Sequence, residues 1–193
     1  MERLSTPTQV YECNENIIVR TAEVTDAGMI VDYFNTNRDY LKPFEPKRDA
    51  AFFRVDGWTQ RLIKLNELHK MGLGYYLVIQ DRHTLAMLGT ISFSNMSRFP
   101  FYACNVGYSL AKTSQGKGVM TQALSMAVNY MFKVQNMHRL MAAYMPKNVK
   151  SGAVLERVGF KKEGEAQDYL LIDDRWEDHI LTSLTNHDWI KEK

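Results

Sequence analysis

Apolar residues recur along this chain with two periods, and the change from one to the other lays out its elements. Met120, Ala123, Leu124, Ala127, Val128 and Met131 fall at i, i+3, i+4, i+7, i+8 and i+11, the stripe of an amphipathic helix. Just before them, Tyr102, Cys104, Val106, Tyr108 and Leu110 alternate with smaller or polar residues, which predicts a strand. The junction reads Gln115, Gly116, Lys117, Gly118, so the order is strand, glycine-containing turn, helix.

The same reading extends to both sides. Residues 16–22 predict a first strand, and Thr25 or Asp26 can cap a helix carrying Met29, Ile30, Tyr33 and Phe34. Two prolines in L-K-P-F-E-P, residues 41–46, argue against a regular element there and stiffen the connection. Phe44 and Glu45 in that loop read either as a structural corner or as a binding wall with one carboxylate. Trp58, Leu62, Leu65 and Leu68 predict a second helix over 58–71, which Gly72 ends. Strands follow at 75–79 and about 85–95, a turn at 97–100, and the alternating strand already described. Beyond the central helix come a strand at 140–145 and a short helix capped by Asn148 and closed by Gly159. Two extended runs, roughly 161–172 and 176–184, turn at Asp173 and Asp174. Three consecutive strands read as an antiparallel meander, so the expected product is a mixed α/β sheet with helices on its faces and not a doubly wound fold.

Composition narrows the classes. The chain has 193 residues, enough for one domain spanning 1–193 with its core over about 16–186. A net charge of +2 argues against a dedicated nucleic-acid coat, and neither sequence-specific nucleic-acid binding nor membrane association is expected. Two cysteines, Cys13 and Cys104, imply no disulfide framework and fit a reducing cytoplasm. The first ten residues lack the apolar region of a signal peptide.

The helix mouth is the candidate for chemistry. The first amides of a helix have no internal acceptor and sit at the positive end of its dipole. Gly116 and Gly118 leave them uncovered and Lys117 adds charge, which makes a phosphate socket, although glycines also open ordinary tight strand-to-helix turns and more often do so. Neither the P-loop nor the dinucleotide pattern fits, because Gly118 follows Lys117 where the P-loop needs Ser or Thr and no third glycine follows Gly118. The five histidines lack metal spacing and no metal is expected; no G-x-S-x-G elbow occurs.

Gln115-x-x-Gly118-x-Met120 resembles the acetyl-CoA loop of the GCN-five-related N-acetyltransferases, whose pattern is Gln or Arg, x, x, Gly, x, Gly or Ala; Met120 departs from its last position. N-V-K-S-G-A-V-L-E-R-V-G-F-K-K-E-G, residues 148–164, resembles the signature of the branch that acetylates ribosomal-protein N-termini. L-K-P-F-E-P, Y-M-P-K-N and D-Y-L-L-I-D are similar to its alanine-acetylating members acting on a small-subunit ribosomal protein.

The resemblance implies the acyl-CoA N-acyltransferase fold, a largely antiparallel sheet whose fourth and fifth predicted strands splay apart. It implies acetyl-CoA as cofactor, with Val106, Tyr108 and Leu110 pairing its arm. Gln115, Gly116, Lys117, Gly118, Val119 and Met120 would hold its pyrophosphate, with Asn148 and Ser151 near the reacting end. Phe44, Glu45, Asn95 and Tyr169 would line the acceptor side. The reaction implied is direct attack of a free amine on the thioester. An α-amine, of pKa about 7.7–8.0 against about 10.4 for lysine, is already partly neutral and needs only a weak base. Ser151 is the candidate proton donor to the thiolate, or simply a helix cap. Asn105 stands where many relatives carry a glutamate base, so Glu45, Asp168 and Tyr169 remain as candidates. The expected partners are a ribosomal protein N-terminus and the assembling small subunit. Two alternatives stand beside this: acetylation of a small amine such as a polyamine or antibiotic, and a non-catalytic ribosome-assembly factor.

Overall fold

Side chains along β3 (Tyr75–Asp81) leave the strand on alternate faces, and each face has its own helices. Tyr75, Leu77 and Ile79 join the cluster that buries Met120, Ala123, Leu124, Ala127 and Leu155. Val78, from the other face, packs with Ile30, Phe34, Trp58 and Leu62. One sheet therefore separates α4 (Val119–Lys133) and α5 (Val149–Val158) from α1 (Ala27–Thr36) and α3 (Val55–Lys70). The computed structural model describes residues 9–191. The expectation about the first ten residues bears mainly on residues 1–8, which lie outside the described part. Among the described residues, no helix is long and apolar enough to cross a membrane.

The remaining strands are β1 (Tyr11–Cys13), β2 (Ile17–Thr21), β4 (Met87–Ser97), β5 (Ala103–Leu110), β6 (Arg139–Tyr144), β7 (Lys161–Ile172) and β8 (Arg175–Thr185). Their order is β1-β2-β3-β4-β5-β6-β8-β7. All neighbours run antiparallel except β5 and β6. That parallel pair is short: Ala103, Cys104 and Asn105 face Arg139, Leu140 and Met141, and pairing stops there. Past this point the two strands part, as the resemblance implies.

Three local expectations change. A short edge strand, β1, precedes the first one expected; three residues, Y-E-C, are too few for alternation to announce it. Arg38–Leu41 form a short helix, α2, and Lys42–Phe44 continue as a 3-10 turn, where the two prolines had argued against any regular element. Pro43 enters at the start of that turn, where its missing N–H is no loss. The third strand begins at Met87 and not near residue 85, because Leu85 sits at φ 59 in the hairpin turn.

The start of α1 is pinned to β2 by charge. Arg20 donates from both terminal nitrogens to Asp26, at 2.7 and 2.8 Å, and Asp26 also accepts the Glu23 amide at 2.7 Å. Burial alone would raise the Asp26 pKa; the Arg20 hydrogen bonds and charge outweigh it and hold the carboxyl below its usual value. A depressed folded value means stability present above the unfolded carboxylate pKa and lost as pH falls through the lower, folded one. We expect Asp26→Asn to cost roughly 2 kcal/mol at neutral pH in denaturant titrations. The difference from the parent should vanish when the titration is repeated well below pH 4, as both proteins then lack the carboxylate.

Candidate functional site

The backbone of β5 shows which groups the parted strands expose. Ala111 donates its amide to Leu88 at 2.7 Å, toward β4, while the Tyr102 carbonyl accepts from Arg139 at 3.1 Å, toward β6. Peptide groups alternate sides along a strand. Even-numbered residues therefore turn toward β6, and Val106, Tyr108 and Leu110 do so where β6 has left. Main-chain groups without ladder partners require another partner, and an extended amide-bearing ligand arm supplies one. The three residues expected to pair with such an arm are the ones the geometry frees.

Below this gap lies the mouth of α4. Gly116 and Gly118 both sit at φ +72, in the left-handed region, and Gly118 is the N-cap with no side-chain cap. Nothing lies within 4 Å of where a Gly116 side chain would start, and only the Gln122 amide, at 3.5 Å, approaches that of Gly118. Lys117 is exposed. The Met120 side chain is buried against the sheet, so the departure from Gly or Ala at this position leaves the mouth clear. The Gln115 side chain is tethered on both ends: its amide nitrogen donates to the Tyr40 hydroxyl and its oxygen accepts from Lys150 at 2.9 Å. Opening amides, two uncovered glycines and nearby lysines fit a diphosphate.

Across the gap, the Asn148 side chain caps α5 by accepting the Ser151 amide at 3.3 Å, and keeps its own N–H groups as donors. The Tyr108 hydroxyl reaches from β5 to that first turn, 3.0 Å from the Ser151 carbonyl oxygen and 2.9 Å from Ser151 Oγ. Burial pushes the phenol up to about 12, so it stays protonated. Cys104, on the same strand, is buried and likewise pushed up to about 12, which makes it an inert core thiol and no nucleophile.

On the other face, between the sheet, α1 and α3, lies a cavity of about 220 Å³. Its polar walls are Glu45, Arg48, Arg61, Thr90, Ser92 and Ser109, and it reaches β5 at Gly107. Ser109 Oγ lies 2.9 Å from both the Tyr33 and Thr90 hydroxyls. A second cavity of about 370 Å³ shares Glu45 and Arg48 and extends outward to the β7–β8 turn at Asp173 and Asp174. Burial raises the Glu45 pKa, and Arg48, 3.5 Å away, opposes the rise without cancelling it.

The residues expected on the acceptor side are thus not all brought together. Glu45 lines both cavities. Phe44 packs near Tyr40 at 6.5 Å between ring centres and lines neither. Asn95 sits exposed at φ 53 in the β4 bulge. Asp168, also at positive φ, donates its amide to Asp178 at 2.8 Å, and Tyr169 lies against His179. None of these three lines either cavity. Arg48, Arg61, Thr90, Ser92 and Ser109 escaped the sequence reading, since polar positions alternating along a strand read equally as solvent-facing; yet Thr90 is 6% exposed.

Gly118→Glu is expected to weaken acetyl-CoA binding beyond calorimetric detection. It forces an L side chain into positive φ and sets a carboxylate at the positive end of the helix. Undiminished affinity would remove the helix mouth from the site.

Comparison with known proteins agrees with this geometry. The acetyltransferase (GNAT) domain family matches residues 16–161. A ribosomal protein uS5 alanine N-acetyltransferase of Escherichia coli is 46% identical over 91% of this chain and 90% of its own. The structure of a ribosomal-protein-S5-alanine acetyltransferase from Vibrio fischeri superposes with a TM-score of 0.92 at 51% identity, covering 94% of this chain and 100% of that one. RimJ of Mycobacterium smegmatis, solved with a coenzyme A disulfide, superposes with a TM-score of 0.87 at 25% identity over 96% and 91% of the two chains. The protein belongs to the GNAT acetyltransferase family, using acetyl-CoA.

Proposed function

We propose that this chain, as one catalytic domain in the cytoplasm, acetylates the N-terminal alanine of a small-subunit ribosomal protein, uS5 as in the relatives, on or near the assembling subunit. Similarity over nine-tenths of two alanine N-acetyltransferases supports the substrate class. The observation that carries the site is the meeting of two openings on β5. The inner cavity touches Gly107 to Ser109, the stretch whose neighbouring even-numbered amides face the gap beside β6. An acceptor entering from the α1–α3 side and a thioester lying along β5 would meet there.

Acetyl-CoA, when bound, supplies a thioester carbonyl open to attack by an amine. The chain's own groups do the rest. Gly116, Lys117, Gly118, Val119 and Met120 hold the diphosphate with Gln115 bracing the loop, and Val106, Tyr108, Leu110 and Asn148 align the arm. The amide of Val106 or Tyr108 stabilises negative charge on the acyl oxygen. Glu45, directly or through a water, takes the amine proton; of the three candidate bases it alone lines the cavities. Ser151, its hydroxyl steadied by Tyr108, gives a proton to the departing sulfur.

The test compares an alanine-starting ribosomal peptide with polyamines and antibiotic amines as acceptors. We expect transfer to the peptide; transfer to small amines and no peptide would overturn the assignment. Two variants probe the halves separately. Gly107 is free of backbone constraint, with only Ser92 Oγ, at 3.5 Å, near a side chain placed there. Gly107→Val should therefore fold normally, keep acetyl-CoA affinity and raise the acceptor KM by about ten-fold or more through loss of cavity space. Glu45→Gln should lower kcat/KM about 100-fold. Because burial raises the Glu45 pKa, kcat of the parent at saturating peptide should fall on the acid side above the ordinary carboxylate range, and that limb of kcat should be missing from the variant.

A further inference from the structure

The two acceptor cavities carry an imbalance of charge that the reaction does not use. Their walls hold five cations, Arg38, Lys42, Lys47, Arg48 and Arg61, against three carboxylates, Glu45, Asp173 and Asp174. Each carboxylate is already taken. Lys42 lies 3.8 Å from Asp173, Lys47 2.5 Å from Asp174, and Arg48 3.5 Å from Glu45. Arg38 and Arg61 are left over, with no ion pair to either among the described residues.

Both leftover guanidinium groups lie over aromatic faces. Arg38 stands 4.1 Å over the Phe53 ring at the outer cavity. Arg61 stands 5.2 Å from Phe52 and 5.4 Å from Trp58 at the inner one. Stacking holds the plane of the group without using its N–H donors. A planar fork with its donors unspent is matched to a carboxylate. The rings beneath Arg61 are buried, Phe52 and Trp58 being 4% and 1% exposed with their centres 5.1 Å apart, and Phe53 beneath Arg38 is half-buried.

We infer that Arg61 and Arg38 select an acceptor chain with acidic side chains close behind its reactive amine, and reject acceptors carrying further cations. This rests on the N-terminal acetylation proposed above and specifies its substrate. Charge along the tract works in one direction throughout. An acidic residue a few positions from the N-terminus supplies the carboxylate that the walls lack. A lysine there, or the second amine of a polyamine, meets like charge on both sides of the path. Surplus cations also disfavour the ammonium form of the incoming amine, whose neutral form is the one that reacts.

The experiment walks one glutamate, glutamine or lysine through positions two, three and four of an alanine-starting peptide. Initial rates of acetylation give kcat/KM for the parent, Arg61→Gln, Arg38→Gln and Arg61→Lys. In the parent we expect glutamate to exceed glutamine by about ten-fold at one position at least, with lysine the poorest. Arg61→Gln should collapse the preference at one position and Arg38→Gln at a later one, with the loss in KM and not in kcat. Arg61→Lys should restore only part, having the charge without the fork. A purely structural role for the stacked arginines predicts variants with lowered Tm and an unaltered glutamate-to-glutamine ratio, and that result overturns the inference. So does a parent that acetylates all three peptides alike. Failure to acetylate any alanine-starting peptide, alongside transfer to small amines, would instead sink the N-terminal reading, and this one with it.

Discussion

The limited pairing between β5 and β6 is the constraint on which the rest of the site depends. A parallel ladder of three residue pairs, ending at Asn105 and Met141, gives up main-chain hydrogen bonds that a regular sheet would keep. What holds the strands apart is packing on either side. β6 goes on pairing with β8 through Tyr144, and β5 with β4 through Leu110. Each strand thus follows the neighbour on its other edge, and only the two edges that face each other across the gap lose their ladder. The Tyr108 phenol crosses it below, tying β5 to the first turn of α5 without closing the backbone groups above.

The second constraint is the two-faced sheet. Val106, Tyr108 and Leu110 send side chains to the α4–α5 side, and Gly107 and Ser109 lie on the α1–α3 side. A single strand thereby borders both the gap beside β6 and the inner cavity. The α1–α3 face is unusual for a buried surface in carrying hydroxyls, with Tyr33, Thr90 and Ser109 bonded to one another. Their mutual hydrogen bonds make burial tolerable, since a buried hydroxyl without a partner costs roughly 1–3 kcal/mol. They also leave the inner cavity polar.

Long-range contacts shape the outer approach. The β7–β8 turn at Asp173 and Asp174 docks on the segment after α2 through two lysine pairs and the Asp173 amide on the Glu45 carbonyl, at 3.3 Å. Residues 128 or so positions apart in sequence thus frame one opening. That docking also explains why Glu45 is half-buried while Asp168, farther along the same hairpin, stays exposed.

Periodicity and local chemistry determined much of this protein by themselves. The central helix, its glycine mouth, the meander, the cap at Asn148 and the order of elements are all set by neighbours a few residues apart, so they are legible in the chain. The glycine loop at the mouth of α4 belongs to this class, because two glycines at positive φ and a helix start are local facts. Tertiary structure alone decided where β5 and β6 part, since pairing length depends on what each strand finds on its other side. It alone set Glu45, and not Asp168 or Tyr169, against the cavities, and gathered Arg48, Arg61, Thr90 and Ser109 from a loop, a helix and two strands. A polar residue on a strand or helix looks the same in sequence whether it meets solvent or a cavity; burial by distant segments makes the difference.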